Sequence, residues 1–305
     1  MNQKLIAVVG PTASGKTTLA ISIAGRLSRE HSFEAVNADS RQVYRLMDIG
    51  TAKPTEQERG ALKHHLLDVV NPDEPFSVAI WLEKANDEIE SIWSRGTVPI
   101  VVGGTGQYVW ALLEGWRVPR VPPQEELRRE LEALPTDELL RQLHQIDPEA
   151  DAFIQPRNVR RIVRALEVYH ATGKPFSHWR TREAPRFEWL ALGISIERDQ
   201  LYRRIDARVD AMMEAGFLDE VRSLGERGYV SDLPSMSSIG YREMCMYLDG
   251  TVTMEEAVYR TKAGTHRLAR HQMAWFKPSD QRIKWVNDVH EATDRVSEFL
   301  GADQQ

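Results

Sequence analysis

Gly10-Pro11-Thr12-Ala13-Ser14-Gly15-Lys16-Thr17 is the stretch whose reading decides the fold. It follows the apolar run Leu5-Ile6-Ala7-Val8-Val9 and leads into Thr18-Leu19-Ala20-Ile21, a segment of helical composition. The spacing G-x-x-x-x-G-K-[ST] between a strand and a helix curls successive backbone N–H groups around phosphate oxygens. Lys16 adds a point charge and Thr17 offers a hydroxyl to a metal ion. The helix N-terminus favours the anion further. A plain glycine-rich turn is the alternative, and the Lys-Thr pair speaks against it. The expectation is an α/β fold, a P-loop NTPase-like parallel sheet with flanking helices, for which ATP or another nucleotide is the default guest.

Working outward, Glu34-Ala35-Val36-Asn37 reads as a second strand with Asp39-Ser40-Arg41-Gln42 just past it. Ligands of open α/β sheets gather at the carboxyl ends of strands, so Asp39 is expected on the phosphate-loop edge; a turn or capping aspartate is the plainer alternative. Asp48 to Pro54 reads as a polar loop. The adjacent His64 and His65 read as hydrogen-bonded or solvated imidazoles, because no third metal ligand stands at suitable spacing. Ser77 is placed to cap a helix whose Trp81, Ala85, Ile89, Ile92 and Trp93 form a core stripe, closed by Gly96. Val98-Pro99-Ile100-Val101-Val102 has the continuous apolar run of a buried parallel strand and empties into Gly103-Gly104-Thr105-Gly106. No aspartate follows that run, so the magnesium and water arrangement of many phosphate-loop NTPases is not expected there.

Arg117 to Pro123 holds three prolines in seven residues, a boundary signal. The expected organisation is a core of residues 1–120 and 188–305 interrupted by a helical insertion, 121–187. Within the insertion, Arg157, Arg160, Arg161 and Arg164 share one helical face, and Ile162, Ala165, Leu166 and Tyr169 share the other. The cationic face is either solvated or laid against an RNA backbone. After a returning strand near 189–196, Leu201 to Leu224 reads as one amphipathic helix with Ile205, Val209, Met212, Met213 and Phe217 inward. Arg204 and Arg208 on it are either surface arginines or a grip for a diphosphate. Farther on, Arg267, Arg270, His271, Lys277 and Arg282 are interleaved with Trp275 and Phe276, a mixture suited to RNA. Trp285 and Phe299 are expected to pack a final strand and helix, with 301–305 frayed.

A chain of 305 residues suggests a main domain plus an insert. Its formal charge of −6 excludes a uniformly basic nucleic-acid binder but not local cationic patches. The single cysteine, Cys245, excludes a disulfide framework or a multi-thiolate zinc site and reads as a small buried apolar residue. No apolar run reaches membrane-spanning length, and the first residues lead straight into a strand. A cytoplasmic protein without signal peptide, membrane anchor or obligate protein partner is therefore expected.

Taken together, the chain resembles the bacterial-type tRNA dimethylallyltransferase family, also called tRNA isopentenylpyrophosphate transferases, over nearly its full length. The resemblance rests on GPTASGKT at 10–17, DSRQVY at 39–44, DIGTAKP at 48–54, HHLLD at 64–68 and GGTG at 103–106. It continues through RRIVRALEVY at 160–169, TGKP at 172–175, IGYRE at 239–243 and RHQMAWFK at 270–277. The family implies transfer of a dimethylallyl group from dimethylallyl diphosphate to the N6 amine of the adenosine on the 3′ side of the anticodon, with Mg²⁺ and without ATP consumption. On that resemblance Gly10 to Thr17 hold the diphosphate, Asp39 deprotonates the amine, Thr17 contacts the bridging or metal-bound oxygen, and Arg208 stabilises the departing diphosphate. It further implies tRNA contacts by Asp39, Ser40, Arg41, Gln42, Thr105, Arg160, Arg161 and Arg164, by Ser237, Ser238, Ile239, Gly240, Tyr241 and Arg242, and by Arg270, His271 and Gln272. Gln42 and Tyr108 are candidates to line the channel. The competing readings are a kinase or prenyltransferase acting on free adenine nucleotides and a noncatalytic RNA-binding protein.

Overall fold

The computed structural model describes residues 3–301. The apolar run forms β1 (Lys4–Val9), and its Leu5 to Val9 are fully buried, as in a strand covered on both faces. Each such Leu, Ile or Val contributes about 1.5–3 kcal/mol on burial. Around it lie β2 (Phe33–Asn37), the two-residue β3 (His64–His65), β4 (Val98–Gly103), β5 (Glu188–Ile194) and β6 (Ile283–Val286). All pair in parallel, in the order β3-β2-β4-β1-β5-β6. The carboxyl ends of β1, β4 and β2 therefore stand side by side, and the loops that leave them share one edge of the sheet.

Helix α1 (Lys16–Arg26) and the last helix, called α12 (Val289–Gly301), lay Leu19, Ile23 and Val296 on a core with Ile6, Val8, Ile100 and Leu192. Phe299 joins that core, and Gly301 closes α12 as its last residue; the expected fraying of 302–305 concerns residues outside the described ones. Following α2 (Glu56–Ala61), α3 (Val78–Ser94) buries Trp81, Ala85, Ile89 and Ile92 as the periodicity predicts. The backbone N–H of Ile80 donates to the Ser77 hydroxyl at 3.4 Å, and Gly96 takes φ +69° at the far end. α4 spans Gly106–Leu113.

The amphipathic segment after β5 is two helices, α8 (Arg198–Glu214) and α9 (Phe217–Glu226). Gly216 breaks it by adopting φ +93°, a left-handed conformation that ends one helix and redirects the chain into the next. Phe217, Val221 and Leu224 then pack with Val43, Tyr44 and Met47 and with α10 (Tyr241–Leu248) and α11 (Met254–Trp275) in a second core. Cys245 is half-buried at its margin, and burial pushes its thiol above the ordinary range, as befits a packing residue.

The chain divides into two compact units: one of residues 1–76, 81–109 and 186–305, the other of 77–80 and 110–185. The second unit thus begins before the proline-rich stretch, which lies inside it. It contains α5 (Glu125–Glu132), α6 (Thr136–Ile146) and α7 (Val159–Thr172), packed through Leu131, Leu139, Leu143, Ile162, Val163 and Leu166. Asn158 caps α7 by accepting from the N–H of Arg161 at 3.2 Å, and Gly173 ends it at φ +67°.

Candidate active site

The loop from Gly10 to Gly15 turns from β1 into α1 and forms one side of a cavity of about 230 Å³. Thr12, Ala13, Gly15, Lys16 and Thr17 line it from that side; Asn37, Asp39 and Gln42 line it from the end of β2, and Gly103 from the end of β4. Arg208 of α8 completes the wall, with Thr51 to Pro54 and Glu58. The structure thus brings Thr12, Ala13, Gly15, Lys16 and Thr17 of the glycine-rich loop together with Asp39 and Arg208, which are far apart in sequence.

Burial draws the Lys16 ammonium down to about 8; the charge of Asp39 works against that shift and Arg208 adds to it. Its Nζ donates to the Pro11 carbonyl at 2.8 Å. Burial likewise pulls the Arg208 guanidinium below its usual range, while Glu58 and Asp39 oppose the effect. Two cations therefore face one cavity at some desolvation cost, an arrangement that an entering polyanion relieves. Arg204, one helical turn away, reaches the Ser14 carbonyl at 3.5 Å.

Asp39 is held by a local turn. Its N–H donates to Asn37 Oδ1 at 3.2 Å, and its own Oδ1 accepts from the N–H of Arg41 at 2.8 Å. Asp39 itself lines the cavity. Thr105 stitches the neighbouring loop to it: Thr105 Oγ1 accepts from the Ser40 N–H at 3.0 Å, and the Thr105 N–H donates to the Ala38 carbonyl at 3.2 Å. The close approach explains the paired glycines, since a Cβ on Gly103 would fall 2.2 Å from the Ala38 carbonyl oxygen. Gln42 donates to the Thr51 and Ala52 carbonyls at 3.1 and 3.0 Å, fixing the opposite wall.

Several residues expected to meet tRNA have side chains engaged in the frame. Gln272 is buried; its Oε1 accepts from the Thr12 N–H at 2.7 Å, and its amide fills the space a Gly104 side chain would take. Tyr241 is fully buried and donates to Glu220 at 2.6 Å. Ser238 and Gly240 are also buried, and Ile239 is half-buried against Gly264. These placements share a cause: IGYRE begins α10 in the second core, and Gln272 lies on the inward side of α11. The exposed residues of that group are Ser237, whose hydroxyl donates to the Pro234 carbonyl at 2.6 Å, and Arg242, which pairs with Glu243. Arg41 reaches the Pro234 carbonyl at 3.1 Å.

In the insertion unit, Arg164 is clasped by the fully buried Glu167 and by the Val121 carbonyl at 2.9 Å, rather than standing on a free cationic face. Arg160 and Arg161 are exposed, the latter reaching the Phe153 carbonyl at 3.5 Å. Arg270 and His271 are exposed, whereas Phe276 is core. Tyr108 is buried, stacked on Trp81 at 4.8 Å, and lies outside the cavity lining. His65 bonds Glu34 at 2.5 Å and Glu88 at 2.9 Å, and His64 bonds the Leu62 carbonyl at 2.6 Å. Among the described residues no group of three or more His, Cys, Asp or Glu is placed to hold a metal.

Two frame residues escaped sequence reasoning. Lys53, its side chain 1% exposed, places Nζ 2.5 Å from the Tyr44 carbonyl, 2.6 Å from Asp48 and 2.5 Å from Asp68, tying together the loops behind Gln42. Glu220 gathers the N–H groups of Asp48, Ile49 and Gly50 at 2.8, 2.7 and 3.1 Å. The two acid partners of Lys53 lie in the DIGTAKP and HHLLD stretches, so a lysine flanked by lone aspartates was the available signal; Glu220 offered none.

A family model described as IPP transferase matches residues 42–279, and one described as isopentenyl transferase matches 3–71. A tRNA dimethylallyltransferase of Roseiflexus sp. is 52% identical over 277 residues, 90% of each chain. One of Thermomicrobium roseum is 46% identical over 94% of this chain and 88% of its own. The crystal structure of a Bacillus halodurans tRNA isopentenylpyrophosphate transferase is 40% identical, with a TM-score of 0.71 and coverage of 98% and 96%. A eukaryotic dimethylallyltransferase caught acting on tRNA superposes with a TM-score of 0.83 at 28% identity, over 98% of this chain and 80% of that one. With the phosphate loop, Asp39 and Arg208 around one cavity, the chain belongs to the tRNA dimethylallyltransferase family.

Proposed function

We propose that the protein transfers the dimethylallyl group of dimethylallyl diphosphate to N6 of the adenosine 3′ to the anticodon, position 37, in tRNAs that read codons beginning with U. The observation that carries this reading is the opposition of a carboxylate, Asp39, to two cations, Lys16 and Arg208, around one cavity beside the phosphate loop. An adenine amine is a weak nucleophile because its lone pair is delocalised into the ring. As N6 attacks the allylic carbon, the bond from that carbon to the diphosphate oxygen breaks and its electron pair leaves with diphosphate. Asp39 accepts the N6 proton, help that contributes roughly 10²–10⁴-fold. Lys16, Arg208 and the loop N–H groups meet the charge that gathers on the leaving diphosphate, more strongly in the transition state than before it. The adenine must leave the stack of its loop to reach this enclosed site.

Mg²⁺ fits the donors present. Thr17 lines the cavity, the buried Ser14 hydroxyl has no hydrogen-bond partner, and this ion takes few protein ligands when phosphate oxygens and waters supply the rest. Thr17 would hold it, and its charge would neutralise the diphosphate. No helix of the described residues is long and apolar enough to cross a membrane, in keeping with a cytoplasmic enzyme working on tRNA. The test is incubation of the purified protein with Mg²⁺, dimethylallyl diphosphate and unmodified tRNA, in parallel with AMP and ATP as acceptors. The expected result is prenyl transfer to tRNA alone; transfer to AMP and not to tRNA would overturn the reading in favour of a free-nucleotide prenyltransferase.

A further inference from the structure

Helices α8 and α11 face each other through a ladder of side-chain pairs spaced four residues apart. Asp210 meets Lys262 at 2.6 Å, and Asp206 meets His266 at 2.9 Å. At the next rung the acid is replaced by Tyr202. Arg270 donates to its hydroxyl oxygen at 3.0 Å, and Arg198 donates to the same oxygen at 3.2 Å from the start of α8. The phenol ring is fixed from behind by stacking on His266, 4.1 Å between centroids and 8° from parallel. Two exposed guanidiniums thus converge on one neutral oxygen, and neither Glu197 nor Asp199 pairs with either of them.

The rung breaks the charge balance of the ladder. An acid in place of Tyr202 would have offset one of the two guanidinium charges; the phenol oxygen accepts from both and offsets neither. The phenol lies below its ordinary range, chiefly because Arg270 hydrogen-bonds it and then because Arg198 does. Both guanidiniums are exposed and meet at the Tyr202 hydroxyl, so the N–H groups they do not spend on it make a cationic seat for an oxyanion. The rung also sits against the back of the phosphate loop: Leu201 and Ala269, next to Tyr202 and Arg270 in sequence, pack on Ala13, and Gln272 bonds the Thr12 N–H.

We propose that Arg198, Tyr202 and Arg270 form a clamp for a single backbone phosphate of the tRNA acceptor, a reading that rests on tRNA being the substrate of the adjoining site. A phosphodiester takes the guanidinium N–H groups that Tyr202 does not use, and the clamp fixes the strand relative to the cavity without reading a base.

The experiment measures binding rather than turnover, so it decides the clamp separately from the prenyl-transfer assay. Affinity of an unmodified tRNA anticodon stem-loop is measured over a range of salt for the wild type and for the Arg198→Gln/Arg270→Gln double variant, with melting temperature as the fold control. The expected result is roughly tenfold weaker binding and a salt slope shallower by about 0.7–0.9, with melting unchanged. In addition, a series of stem-loops each carrying one neutral methylphosphonate should include one position at which wild type and double variant bind alike. An unchanged slope, a lowered melting temperature with intact affinity, or a cost that persists at every methylphosphonate position would overturn the clamp.

Discussion

Arg208 on α8 and Arg164 on α7 look alike in sequence, each an arginine in a helical repeat of arginines opposite an apolar face. Their surroundings differ. Arg208 stands in a cavity wall among Lys16, Asp39 and Glu58, felt only as charges and bound by none of them. Arg164 is closed into its own unit, where Glu167 also accepts from Arg128 at 2.8 Å and from the Gln124 N–H at 2.7 Å. Periodicity names the face of a helix but not what covers it. An acid three residues on, Glu167 after Arg164, turns a cation inward, and Arg208 has no such neighbour: an arginine that the fold leaves uncompensated is the one available to an anion.

That contrast can be broken in order of expected effect. Arg208→Gln should lower single-turnover transfer roughly 10²–10³-fold with the melting temperature near that of wild type, as for loss of one group that meets developing charge. Arg164→Gln should do the reverse. It leaves a fully buried carboxylate short of a partner and should cost about 1–3 kcal/mol in urea denaturation, with transfer per folded molecule retained.

Acid sharpens the same point. Burial works against Glu167, but Arg128, the Gln124 N–H and Arg164 together hold its carboxyl below the ordinary range. Its contribution is therefore present above pH 4.5, the unperturbed value, and is lost as pH falls through the lower folded value. The stability gap between wild type and Arg164→Gln should narrow over that window.

Lys16 behaves oppositely. With its free-state value near 8, the cavity loses a positive charge as pH rises past that point. Affinity for dimethylallyl diphosphate should fall between about pH 7.5 and 9.5, and Lys16→Gln should remove that dependence while binding more weakly throughout. The smallest effect is expected at Arg160, exposed and free of the Glu167 clasp. Arg160→Gln should flatten the salt dependence of tRNA affinity by at most about 0.7–0.9, and an unchanged slope would make it an ordinary solvated arginine.

The frame of the site was legible where one local signal sufficed. The phosphate loop, the run before Gly103 and the strand before Asp39 are each contiguous, and parallel strands with alternating helices place their carboxyl ends on one edge. The glycine pair was visible as a loop, but its reason, the approach of Gly103 to the Ala38 carbonyl, is a contact across 65 residues. Gln272 and Tyr241 entered only through the family resemblance, and nothing local in the sequence shows that their side chains are buried. Both are buried polar groups whose partners, the Thr12 N–H and Glu220, lie in distant segments. Lys53 had only the weak signal of nearby lone aspartates, and nothing local announces Glu220, a carboxylate that collects three successive N–H groups.

The central claim is that Asp39 faces the diphosphate cations as the base. Its most direct test is single-turnover transfer by Asp39→Ala with enzyme, dimethylallyl diphosphate and tRNA all at saturating levels, alongside tRNA affinity. The account predicts a rate lower by roughly 10²–10⁴-fold, with affinity within about twofold of wild type. A rate equal to wild type at saturation, with the whole loss in tRNA affinity, would contradict it.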